Sequence, residues 1–167
     1  MELWLWCAVG GLVGTVLMDI TASLANALRI RWGGCGGNAA IGRWVLGLLA
    51  GRFVHKNIIE SSPLGHERSA GLVFHYFTGA SVALTYPFFF LAFSLPLPEN
   101  HLISGLLWGL ATTLLPWFIL FPGFGWGLFG VRAPGNVRPL VSPAVSHMLY
   151  GLGLGIVLNI ASPQVAF

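Results

Sequence analysis

Charge is scarce in this chain. Only 8% of its 167 residues are Asp, Glu, Lys or Arg, while 56% are hydrophobic. A soluble domain carries roughly 25% charged residues, so no soluble domain is expected. Cysteine is scarce too. Cys7 and Cys35 are expected on opposite sides of the first apolar run, which argues against a disulfide within the chain. Cys35 stands in the run Gly33-Gly34-Cys35-Gly36-Gly37 with no second thiol nearby. No nucleophile elbow, P-loop, dinucleotide fingerprint or zinc-protease helix is present, so enzyme chemistry is not indicated. The start, Met1-Glu2, lacks a positive n-region, and the apolar run behind it is too long for the core of a cleaved signal.

Four apolar runs are long enough to span roughly 30 Å of hydrocarbon, which takes about 20 helical residues. They cover residues 3–28, 70–95, 102–121 and 140–161. The expected fold is an all-α integral membrane domain over 1–167, a four-transmembrane-helix bundle in a lipid bilayer. Residues 38–50 are apolar but too short to cross. They predict an interfacial or re-entrant helix, capped by Asn38 and ended by Gly51, with Trp44 at headgroup level and Arg43 and Arg52 toward phosphates. Ser61-Ser62-Pro63 then starts the second span. The run 121–130 holds too much Gly and Pro for a regular helix. At membrane depth it must be covered by protein or line a cavity.

The basic residues are lopsided. Arg29, Arg31, Arg43, Arg52, Lys56 and Arg68 lie between the first two spans, and Arg132 and Arg138 between the last two. The positive-inside rule puts both loops in the cytoplasm and both termini outside. The net charge of +3 reflects this asymmetry and does not argue for nucleic acid.

The spans carry small or polar residues every four positions, which keeps them on one helix face. The first reads Cys7, Gly11, Thr15, Asp19, Ser23 and the third Gly105, Gly109, Thr113, Trp117. The second reads Gly71, His75, Gly79, Ala83 and the fourth Pro143, His147, Gly151, Gly155. The pattern suggests two similar hairpins, and such stripes face neighbouring helices.

Asp19, His75 and His147 are ionisable groups on these stripes, about 8–14 Å inside the inner boundary at 1.5 Å per residue. Such groups are costly in a bilayer and mark ion paths, proton relays or cofactor sites. Three readings follow. His75 and His147 suit axial ligation of a haem, with Gly71, Gly79 and Gly151 leaving room for a flat macrocycle and Arg68 or Arg138 meeting its propionates. With Asp19 they suit a transition metal such as iron or zinc. Alternatively, the three relay protons or bind a transported solute, which calls for a homodimer. In the third reading they hydrogen-bond between helices in an accessory subunit of a larger membrane complex. Tyr76, Tyr150, Arg43, Arg52, Glu67 and Arg138 are candidates around the site or its mouth, with Glu67 pairing to Arg43, Arg52 or Arg138. His55, Glu60 and His66 read as solvated loop residues, and Glu99 and His101 as an exposed outer turn.

A resemblance follows from several motifs taken together. They are Gly14-Thr15-Val16-Leu17-Met18-Asp19, Gly42-Arg43-Trp44, Gly51-Arg52-Phe53-Val54-His55, Gly65-His66-Glu67 and His75-Tyr76. Phe121-Pro122 with Gly125 and Gly127, then Pro134, Arg138 and His147 with Tyr150-Gly151-Leu152-Gly153-Leu154, complete the set. Over nearly the whole chain this resembles a bacterial family of small membrane proteins catalogued as a domain of unknown function, number twenty-nine thirty-eight. One departure is His66 between Gly65 and Glu67. The resemblance implies a bacterial inner-membrane location and no particular chemistry.

Overall fold

Long apolar sequences fold as helices because a helix pairs its backbone N–H and C=O groups within itself. The computed structural model describes residues 2–29, 37–135 and 138–161, and every regular element among them is helical. Helix α1 is Glu2–Ala27, α2 is Gly37–Leu49, α3 is Glu67–Ala92, α4 is His101–Thr112, α5 is the short Phe121–Gly123 and α6 is Val141–Ala161. Cys35 and Arg31 lie outside the described residues.

Among the described residues, three stretches are long and apolar enough to cross a membrane: Glu2–Ala27, His101–Gly123 and Val141–Ala161. The last runs through α6, and the second continues α4 through a π-helical turn, Pro116–Leu120, into α5. Pro116 has no N–H to give, and the ladder widens there, so that the N–H of Phe121 reaches the Pro116 carbonyl. Helix α3 is as long as α1, at 26 residues, but it carries His75, Tyr76, Tyr86 and Pro87 and is not among the three. It starts at Glu67 and not at Ser61-Ser62-Pro63, because Arg43 claims the Ser61 carbonyl and His66 takes a left-handed φ of 62°. Asn38 falls inside α2. Gly51, at φ 76°, ends α2 as expected, with Gly51 N–H on the Leu48 carbonyl and Arg52 N–H on that of Gly47.

The chain forms two compact units. The first comprises Met1–Thr21, Tyr76–Thr112 and Val145–Phe167. Its core is Leu3, Cys7, Ala83, Tyr86, Tyr150, Leu154 and Leu158. Its helices meet through glycine. A side chain at Gly11 would strike the Gly79 carbonyl and Ala83 on α3; one at Gly14 would strike the Tyr150 backbone on α6; one at Gly105 or Gly151 would strike the opposite helix of the α4–α6 pair. Opposite these faces, Leu5, Leu12, Val16 and Ile20 of α1 are exposed, as lipid-facing residues are.

The second unit comprises Ala22–His75 and Thr113–Ala144. Its core is Ala40, Trp44, Ile58, Phe121, Phe124 and Trp126. Trp44 is therefore a core residue. It packs edge-on against Phe74 and Phe124, and its indole N–H donates to the Phe53 carbonyl. In the Gly-rich stretch after α5, Phe124, Trp126 and Gly130 are buried, while Leu128 and Phe129 are exposed. Gly125, at φ 84°, lies against the carbonyls of His55 and Lys56, where no side chain fits.

Gly151→Ala is expected to lower stability by about 1–3 kcal/mol, because the new methyl must displace the Gly105 backbone. Gly65→Ala, where nothing lies within 4 Å, is the neutral control. Unfolding curves of the two variants in detergent check this.

Candidate functional site

The residues singled out from the sequence divide between the two units. Asp19, Tyr76, His147 and Tyr150 belong to the first, and His75, Arg43, Arg52, Glu67 and Arg138 to the second.

In the first unit, three helix contacts set one register. Gly10 of α1 meets Leu154 of α6, and Gly14 meets Tyr150 one turn further on. Continued by one more turn, this antiparallel pairing puts Asp19 and His147 within about 3 Å of the same height. On α3, Gly79 meets Gly11 and Thr15 of α1, and the next turn brings the Tyr76 hydroxyl to the Asp19 carboxylate as a hydrogen-bond donor. On α4, Gly109 lies against the His147 carbonyl, and Thr112 Oγ1 is 2.8 Å from His147 Nδ1. Asp19 and His147 thus share a level but occupy two interfaces, α1 with α3 and α4 with α6. Both, like Tyr76, are half-buried. The Tyr150 hydroxyl is committed elsewhere, donating to the Gly79 carbonyl at 2.6 Å.

This geometry bears on the cofactor readings. Among the described residues, no group of three His, Cys, Asp or Glu side chains is placed to hold a metal ion. The glycines that were to leave room for a macrocycle are used in helix contacts. A side chain at Gly71 would meet the Asn38 carbonyl, one at Gly79 the Thr15 hydroxyl, and one at Gly151 the Gly105 carbonyl. Among the described residues, the space beside each of these glycines is filled by a neighbouring segment.

In the second unit, Arg43 does not reach toward phosphates. It is buried in a bidentate pair with Glu67, both bonds 2.8 Å, and the two N–H groups of Nη1 donate to the carbonyls of Ile58 and Ser61. One guanidinium thereby ties α2, the 58–61 turn and the start of α3 together. Gly42 makes the approach short, since a side chain there would overlap the Glu67 backbone. Of the three partners considered for Glu67, Arg43 is the one engaged. Arg52, Arg68 and Arg138 are exposed.

His55 is also buried, not solvated. Its backbone N–H donates to the Gly123 carbonyl, Nδ1 lies 3.1 Å from Ser61 Oγ, and Nε2 faces Gly47 with no hydrogen-bond partner among the described residues. The other surprise is His101, which is buried rather than exposed. Its Nδ1 is 2.8 Å from the Tyr86 hydroxyl, which also reaches Ser104, and its N–H donates to Asn159 Oδ1. Asn100 caps the turn by accepting from Leu102 N–H, and that cap was the local signal that His101 begins a packed helix. Thr112 carried no local signal, being 35 residues from His147.

These features define an all-helical protein with three helices of membrane-crossing length and apolarity, and with ionisable groups inside its helix contacts. The chain belongs to the family described as Protein of unknown function (DUF2938), which it matches over residues 8–161. Neither the curated proteins nor the solved structures contain a match to it.

Acid is expected to weaken the second unit in two steps. Burial, with Arg52 and Arg43 nearby, lowers the His55 pKa below its ordinary 6.5. The unfolded chain then binds the proton more readily, so stability falls as pH drops below 6.5. The bond from Arg43 lowers Glu67 from 4.5 to about 2, so its contribution is full above pH 4.5 and lost as pH falls toward 2. His55→Phe should remove the upper step. Glu67→Gln, which strands Arg43, should cost about 3–5 kcal/mol at neutral pH. Tryptophan fluorescence during unfolding, to which Trp44 and Trp126 of this unit contribute, checks both.

Proposed function

We propose that this protein passes protons across the membrane through Asp19 and His147. The observation that carries this reading is the hydroxyl held against each group, Tyr76 on the carboxylate and Thr112 on the imidazole, at one level of one unit. Carboxylate and imidazole are the side chains that take up and release protons at accessible pH, and a hydroxyl bonded to each holds it in place. Both groups are half-buried.

The reading carries an arrangement in the bilayer. Helix α3 crosses as a fourth span: 26 residues rise about 39 Å, Tyr86 is accounted for inside the unit, and Leu72, Val73, Phe77, Phe88 and Leu91 are exposed for lipid. Helix α2 lies at the inner interface. The spans derive from two similar hairpins. Support for this lies in the way Gly79 and Ala83 meet Gly11 as Gly151 and Gly155 meet Gly105. The basic loops face the cytoplasm of a bacterial inner membrane, both termini lie outside, and a homodimer completes the path.

Vesicles carrying the protein should dissipate an imposed pH gradient, with potassium and valinomycin clamping the potential. Asp19→Asn and His147→Gln should each slow this by at least about tenfold, the scale expected of a positioned proton-transfer group. Dissipation no faster than in empty vesicles sinks the reading and turns attention to an accessory subunit of a larger complex. For topology, Lys56→Cys in a chain without Cys7 and Cys35 should resist a membrane-impermeant thiol reagent in intact cells. Labelling there inverts the orientation.

A further inference from the structure

The bonds of Thr112 settle more than a contact. Its hydroxyl oxygen lies 2.6 Å from the Gly109 carbonyl oxygen and 2.8 Å from His147 Nδ1. A hydroxyl has one proton, and a carbonyl oxygen only accepts. The Thr112 proton therefore goes to Gly109. The contact with His147 is then a hydrogen bond only when Nδ1 carries hydrogen and the Thr112 oxygen accepts it.

We infer that Thr112 is a positioning residue that holds His147 as the Nδ1–H tautomer, so that Nε2 is the atom that gains and loses the exchanged proton. This rests on the proton-exchange reading for its function but not for its chemistry. In the neutral ring the lone pair is on Nε2. A proton from water or a protonated carboxyl binds there to give the imidazolium, and the same atom releases it. Nδ1–H stays on Thr112 throughout. The local fold makes the arrangement specific. Gly109 has no side chain, so α4 closes on the His147 backbone, and Thr112, three residues on, comes round to the ring. Tyr150, one turn further along α6 with ring centroids 6.3 Å apart, limits the ring from that side.

The test is nitrogen NMR of the full chain, labelled with ¹⁵N-histidine and reconstituted in bilayers, with His147 assigned by its loss in His147→Gln. Protonated and unprotonated ring nitrogens resonate far apart. In neutral His147 the Nδ1–H form should exceed the other by roughly tenfold, the scale of one buried hydrogen bond. Thr112→Ser should keep that ratio, and Thr112→Val should lose it. A dominant Nε2–H form in the native chain overturns the assignment, as does a Thr112→Val spectrum unchanged at His147. The native spectrum decides even if the valine variant fails to fold. The two claims also separate. The stated tautomer without proton flux supports the role of Thr112 and overturns the function. Flux with the opposite tautomer does the reverse.

Discussion

The first unit depends on helix backbones touching where side chains are missing. In a bilayer there is little hydrophobic gain from pressing two apolar helices together, so close van der Waals contact must hold them. Gly11 and Gly79 bring α1 to α3, Gly10 and Gly14 bring α1 to α6, and Gly105, Gly109 and Gly151 bring α4 to α6. Each contact also fixes axial register, because a slip by one residue would rotate a bulkier neighbour into the gap. The placement of Asp19 beside Tyr76, and of His147 beside Thr112, follows from that register. The polar pairs are a consequence of the packing.

The second unit is held by different physics. Its covering backbone between α2 and α3 is irregular, so it needs bonds from elsewhere. Arg43 provides several at once, satisfying two loop carbonyls while its charge is met by Glu67. A buried ion pair is worth less than its bonds suggest, because both charges had to leave water. Its value here is that three segments must be in place together for the guanidinium to be satisfied. Aromatic packing of Trp44, Phe124 and Trp126 fills the space around it.

Much of the helical plan was legible in the sequence. The apolar runs marked the helices to within a few residues, and the four-residue stripes marked which faces pack, as Gly11, Thr15, Gly79 and Gly151 bear out. What the stripes do not reveal is what fills the space opposite a glycine. Gly71, Gly79 and Gly151 read equally well as room for a flat ligand or as contact with another backbone, and only the neighbouring helix decides. Long-range partners were similarly hidden. Arg43 finds Glu67 across 24 residues, and His147 finds Thr112 across 35. His55 and His101 looked solvated because they lie outside the apolar runs, whereas their burial comes from segments remote in sequence.

The central claim is that Asp19 and His147 lie at one depth inside the bilayer. Their neighbours Ile20 and Met148, with Phe77 beside Tyr76, are exposed and offer positions for labels. Spin labels at these three positions, with accessibility to oxygen compared with a water-soluble nickel complex, report depth directly. The account predicts three depths within about 5 Å, roughly three residues of helix rise, all within the hydrocarbon. A label at 20 or 148 that sits in the headgroups while the other is buried would contradict it.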